Sequence, residues 1–260
     1  MRVIVNADDF GSSVETVAAT IGCFERGALT SATIMPNMPA TAEATAFARA
    51  HPEFSFGVHL VLVGDGEERP AAGAEHVPAL ADTDGRFPRR TNDVRLRALL
   101  GRLPLDQLER ELTAQIESVR AAGVEVSHVD SHRHLHKLGR VRVALGNVLP
   151  RLGIRRVRRV QDVYLRTPLA SPTYWLGPWW QRRLGRLGAG TTTHFYMPWG
   201  SDDGSWEEPL LQRMARLSGS LEVGVHPGAR NEGAAAERFA AGARDAGHEL
   251  VPWTSVGEPS

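Results

Sequence analysis

Cysteine is almost absent from this sequence: Cys23 is the only one in 260 residues. No disulfide can form within the chain, so nothing in it demands an oxidising compartment, and the cytoplasm is the expected location. Net charge is missing as well, with 30 basic residues against 30 acidic ones. The basic footprint of a nucleic-acid binder is therefore lacking, and small neutral or weakly charged partners are favoured. No run of about 18 apolar residues is available to span a bilayer. At the start, Met1-Arg2-Val3-Ile4-Val5 leads directly into polar residues, without a signal peptide's apolar stretch and cleavage site. Internal repeats and low-complexity tracts are also lacking. The length suits one large α/β domain better than two small ones, and it buries a substantial core without staples.

What is present is alternation. Short β-branched runs at 2–6, 31–35, 56–63, 126–131, 155–160, 193–197, 221–226 and 249–253 are separated by helical periods. Eight such runs joined by crossover helices predict a TIM-like (β/α) barrel, regular or distorted. The first helix is expected to open at Ser12, where Ser12-Ser13-Val14-Glu15 has capping-box spacing, and to stop near Gly27. A second helix carries Leu105, Leu108, Leu112, Ile116 and Val119 on one face, with its acidic and amide residues expected to face water and Gly123 as its stop.

Two segments interrupt the pattern. Residues 64–104 are rich in Gly, Pro and charge and read as an inserted loop, either a lid or a mobile insertion. Residues 161–209 form an aromatic-rich region, and five of the six tryptophans fall between Trp175 and Trp206. Those rings suit a sugar-stacking wall, or core or a subunit interface, which is where clustered aromatics usually go. The arginines at 155, 156, 158 and 159 read as a solvated face.

The chemistry-bearing residues gather at the ends of these strands. Asn6-Ala7-Asp8-Asp9-Phe10-Gly11 puts two adjacent carboxylates at the carboxyl end of the first strand, where barrels place their sites. Alternatively, either Asp caps the following helix or makes an Asx turn. In Val126-Ser127-His128-Val129-Asp130-Ser131-His132, the strand period puts His128, Asp130 and His132 on one side. The run continues through His134 and His136, so four of the ten histidines lie within nine residues, and His132 and His136 have i, i+4 spacing if the chain turns helical. Imidazole is a favoured metal ligand, and Asp130 could orient one ring from behind. The bland alternative is a His-rich surface turn. His59, within the apolar run Phe56 to Val63, requires a bond or a metal to compensate its burial. His226 closes Leu221-Glu222-Val223-Gly224-Val225-His226, with the apolar residues toward the helices and the histidine inward.

The motifs NADDFG, GVHLVL, HVDSHRHLH and GVHPG, in that order, resemble the YdjC-like carbohydrate deacetylases. That family includes chitooligosaccharide deacetylase and a branch associated with hopanoid biosynthesis. The resemblance covers most of the chain and weakens between Gln161 and Pro209. It implies one barrel over residues 1–260, related in logic to polysaccharide deacetylases, with a single divalent metal. Carried over motif by motif, Asp9, His59 and His132 would be the metal ligands, Asp8 the general base and His226 the acid that protonates the leaving amine. Asp130, His128, His134 and His136 would support the site or meet substrate. The resemblance implies Mg²⁺, whereas two imidazoles and a carboxylate also suit Zn²⁺ or a similar ion, or Fe²⁺ as in oxygenases.

The expected activity is removal of the N-acetyl group from an acetylated amino sugar, oligosaccharide or glycoconjugate, releasing acetate. One rival keeps the metal hydrolase but changes the substrate to another amide or a glycolipid. Another is a non-catalytic sugar-binding or interaction protein on the same barrel. Family members often form dimers, which makes a homodimer a further expectation, with the Trp-rich stretch as its interface.

Overall fold

A computed structural model describes residues 1–66, 68–198, 205–229 and 231–256. Its sheet is built from the β-branched runs: β1 (Arg2–Phe10), β2 (Ser31–Ile34), β3 (Ser55–Leu60), β4 (Val126–Ser131), β5 (His194–Tyr196), β6 (Ser220–Val225) and β7 (Glu249–Leu250). All pairings are parallel, in the order β4-β3-β2-β1-β6-β5, with the short β7 beside the start of β1. Helices α1 (Val14–Glu25), α2 (Thr41–Ala50), α3 (Thr91–Leu99), α4 (Leu105–Ala121), α5 (Gly139–Arg151), α6 (Pro172–Leu184), α7 (Glu207–Met214) and α8 (Glu232–Asp245) make the connections. The result is an α/β fold around a curled, barrel-like sheet. No helix among the described residues is long and apolar enough to cross a membrane.

The run at 155–160 does not form a strand. It lies between edge strand β4 and the residues leading into β5, joined by single parallel bridges, Val157 to Val129 and Arg156 to Gly190. Its ladder ends at Arg158, whose backbone donates to Val129 O; the next donor on that line, Val160 N, is taken by the Gln181 side chain. The first helix also starts one residue later than its capping box suggests, because Ser13, not Ser12, is the cap and accepts from Thr16 N.

The helices bury the outward side chains of the strands. Leu108, Leu112, Ile116 and Val119 of α4 are wholly inaccessible or nearly so. Burial of such side chains contributes about 1.5–3 kcal/mol each. Two polar residues of α4 depart from the expectation that they face water. Gln115 pairs through its amide with both Val61 N and Val61 O, and Glu111 accepts from Ala71 N and Ala72 N. The Glu111 bonds tie residues 64–104 to α4, beside the turn hydrogen bonds that the segment makes within itself before α3. Val77, Leu80 and Phe87 fasten it further by burial.

Inside the sheet, the side chains fall into levels. At the amino ends of the strands Ile4, Val251, Trp253 and Val256 form a separate apolar cluster. His128 belongs here, stacked on Trp253 at 4.6 Å. Gly57 makes room for it, since a Cβ at that position would come within 2.6 Å of His128 Cε1. Above this plug the interior turns polar.

Candidate metal and hydrolytic site

Strand alternation puts Ile4, Asn6 and Asp8 of β1 inside the sheet and should turn Asp9 away. It does not, because the β1–β2 register shifts between Ala7 and Phe10 and the Asp9 backbone is left-handed, with φ 59°. Asp is one of the few residues with a Cβ that visits this region readily. The kink brings two adjacent carboxylates to the same mouth, which a regular strand would forbid.

Asp9 meets two imidazoles there. Its Oδ1 lies 3.2 Å from His59 Nε2 and 3.1 Å from His132 Nδ1. A ligand atom from each of the three residues lies within 4.8 Å of the other two. On the far side of the His59 ring, Nδ1 is 2.7 Å from Asp130 Oδ1, which fixes the ring and leaves Nε2 toward Asp9. This carboxylate-imidazole pairing is the usual support behind a metal-ligating histidine. Burial opposes ionisation of Asp9, but the bonds from His132 and His59 outweigh it and hold its carboxyl well below the usual range. Burial likewise favours neutral His59, yet Asp130, with Asp9 and Asp8, raises the imidazole well above its ordinary value. One carboxylate and two convergent imidazoles, one of them braced from behind, fit a single divalent cation.

Asp8 has a different environment. It is buried and held by Arg158 through a bidentate pair, Nη1 to Oδ2 at 2.6 Å and Nη2 to Oδ1 at 2.7 Å. Asn6 Nδ2 donates to the same Oδ1 at 2.9 Å, so Oδ2 carries the fewer bonds of the two. Burial raises the carboxyl, but Arg158, then His59, lowers it further, and the group stays ionised far below its ordinary range. Arg158 also pairs with Asp130 and donates through Nε to Glu222 Oε1 at 2.8 Å. It is fully buried, which corrects the reading of the 155–159 arginines as a solvated face. A second acidic group, Asp8 with His59 and Asp130, has metal-like spacing, but the Arg158 guanidinium already supplies the cation between its carboxylates.

His226, just beyond β6, is partly exposed at the same mouth. Its backbone N donates to Glu232 Oε2 at 2.6 Å, and its Nδ1 lies 3.3 Å from that oxygen, which leaves Nε2 as the outward nitrogen. Burial works against its charge, but Glu232, followed by Asp8 and Asp9, lifts the imidazole to about 9.

The other histidines do not join this group. After β4 the backbone is left-handed at both Arg133 and His134, so the segment to Lys137 is a kinked 3-10 turn in place of the helix that would align His132 with His136. His136 turns back to Ser131 Oγ at 2.8 Å, and His134 sets its ring edge against Phe195. Both line a cavity of about 490 Å³ between α3 and α6. His128 sits in the plug at the other end of the sheet.

Four participants went unnoticed in the sequence. Glu222 shares the strand parity of His226, and that period alone would have placed it inside. Glu232 follows His226 by six residues and opens α8, and Thr33 shares the inward parity of Ser31 on β2, donating to Asp130 Oδ2 at 3.2 Å. Asp65, which binds Arg133 at 2.8 Å and lies 3.4 Å from His132 Nε2, carries no local signal.

The model of the YdjC-like protein family matches residues 2–254. A carbohydrate deacetylase of Geobacillus stearothermophilus is 43% identical over 134 residues, 52% of this chain and 50% of that protein. One of Brevibacillus brevis is 40% identical over 136 residues, again 52% and 50%. The chain thus spans about half the length of these curated relatives. Among solved structures, an Enterococcus faecalis protein described as a cellobiose-phosphate cleavage protein superposes with a TM-score of 0.76 over 98% of both chains. At 22% identity, that likeness speaks for the fold alone.

Proposed function

The chain belongs to the YdjC-like protein family, and from that premise we propose that it is a metal-dependent carbohydrate N-deacetylase. Its substrate would be an N-acetylated amino sugar, free, in an oligosaccharide or in a glycoconjugate, and its products acetate and the free amine. The observation that carries this reading is the convergence of Asp9, His59 and His132 beside a separately clamped Asp8, with His226 across the mouth. The name borne by the curated relatives supports the same chemistry.

Asp9, His59 and His132 would hold one divalent cation, Mg²⁺ or Zn²⁺, which when bound polarises the acetamide carbonyl and acidifies water. Asp8 takes the proton from the attacking water. Its Oδ2 is the oxygen left for that role, and Arg158 fixes its direction. The new bond joins water oxygen to the acetyl carbon. As the carbon–nitrogen bond breaks, His226 Nε2 gives its proton to the leaving amine, while Glu232 holds the opposite ring nitrogen. A value of about 9 keeps His226 charged at neutral pH, as an acid must be.

The test is acetate release from a panel of N-acetylated mono- and disaccharides and glycolipid sugars, after metal stripping and readdition of single ions. Release from at least one sugar, restored by at least one ion, is the expected result. Folded protein that releases no acetate from any of them would sink the proposal.

A further inference from the structure

Eight large hydrophobic side chains are exposed among the described residues, and seven of them lie on two segments: Leu96, Leu99 and Leu100 on or just after α3, and Leu169, Trp175, Leu176 and Trp179 at or before α6. The two segments flank one opening. Leu99 and Leu176 both line the cavity of about 490 Å³ that also receives His134 and His136. On α6, Trp179 lies one turn beyond both Trp175 and Leu176, so the three share one side of the helix, with Trp175 and Trp179 62% and 50% exposed. A concentration of this kind on a soluble face marks a surface that meets something apolar.

The charges on the same two segments are mostly of one sign, the single acid of α3 being Asp93 in its first turn. From residue 163 to 201 the chain contains Arg166, Arg182, Arg183 and Arg186 and no acidic residue, and from 94 to 105 it contains Arg95, Arg97 and Arg102, again with none. On α6 the arginines continue the Trp stripe, and the Arg183 guanidinium lies 4.7 Å from the centre of the Trp179 ring. A second copy of this chain is a poor occupant, because a twofold contact sets each cationic face against itself with only Asp93 to answer seven arginines. A neutral apolar partner leaves the arginines unanswered. An anionic lipid surface answers both features, since indole and leucine side chains enter the headgroup boundary while arginines meet the phosphates.

We propose that the face formed by α3 and by residues 169–186 docks on an anionic lipid bilayer, with the cavity mouth turned toward the membrane. The docking is peripheral, and it is independent of the deacetylase reading.

Co-sedimentation of the full chain with vesicles tests it, comparing phosphatidylcholine alone with phosphatidylcholine containing phosphatidylglycerol. The protein is expected to sediment with the phosphatidylglycerol vesicles, to remain in solution with phosphatidylcholine, and to be released by high salt. Trp175→Ser with Trp179→Ser, and separately Arg182→Glu with Arg183→Glu, are each expected to weaken binding by ~10-fold or more. The arginine pair lies at the exposed end of the helix, so it keeps the test open if the tryptophan pair unfolds. Absence of vesicle binding at low salt would overturn the proposal. So would binding untouched by the arginine pair, or a solution dimer that the tryptophan pair dissociates.

Discussion

Asp8 and Asp9 are neighbours in sequence with different partners, and the partners divide their work. Arg158 grips one and two imidazoles face the other. Asp8→Asn is expected to retain bound metal and to lose turnover by ~100- to 10,000-fold, the usual contribution of a positioned base. Metal content and initial rate, measured on the same preparation, separate the two effects; near-normal turnover would remove Asp8 from the base role. Arg158 has a structural part as well, since truncation to Met strands Asp8, Asp130 and Glu222 without their counter-charge. Breaking a buried ion pair costs about 3–5 kcal/mol, which denaturant unfolding would register. For His226 the active form is the protonated one, so activity should fall as pH rises toward and through about 9. Glu232 is the leading group that lifts this value, so Glu232→Gln should move the alkaline limb of the rate profile to lower pH. An unmoved limb would mean that another group sets it.

The elements of the fold were legible where a period governs them. The runs beginning at Arg2, Ser31, Phe56, Val126, Thr193, Leu221 and Glu249 each contain or overlap a strand, and β4 matches its run end to end. The run at 155–160 was misread because tertiary contact overrides its β-branched pattern: Arg158 belongs to the interior, and only two bridges remain. A run of arginines gives no local sign of which one is buried. The site was legible as a set of strand ends, His59, His132 and His226, but not as a geometry. Strand alternation forbids Asp8 and Asp9 from sharing a face, and only the left-handed turn at Asp9 permits it. The same kind of turn at Arg133 and His134 removed His136 from the site. On α4, Glu111 looked like surface charge, yet it caps two amides of the 64–104 segment. Glu111→Ala should therefore cost about 1–3 kcal/mol for the stranded donors and open that segment to proteolysis. Cleavage sites mapped by mass spectrometry would fall at 64–104 if this is right, and elsewhere if it is not.

At the scale of the molecule, the interior of the sheet is a charged column seated on an apolar plug. Asp8, Asp130 and Glu222 surround one guanidinium and the His59 imidazole answers Asp130, so one carboxyl is in surplus, and it is Glu222 that rises. Burial, only partly offset by Arg158, lifts it from its ordinary 4.5 to about 7. Between those values the folded chain binds more protons than the unfolded one, so this group makes stability fall as pH rises across that window. Glu222→Gln removes the dependence, and its melting temperature should gain on that of the parent between pH 5 and pH 8 in metal-stripped protein. An equal difference at both pH values would contradict the assignment.

The most direct test of the whole account is a titration of stripped protein with a divalent ion, following acetate release from an N-acetylated amino sugar as ion is added. The account predicts that release rises with occupancy and saturates at one ion per chain, and that His132→Ala neither binds the ion nor releases acetate. Full release from stripped protein, or undiminished release by His132→Ala, would contradict it.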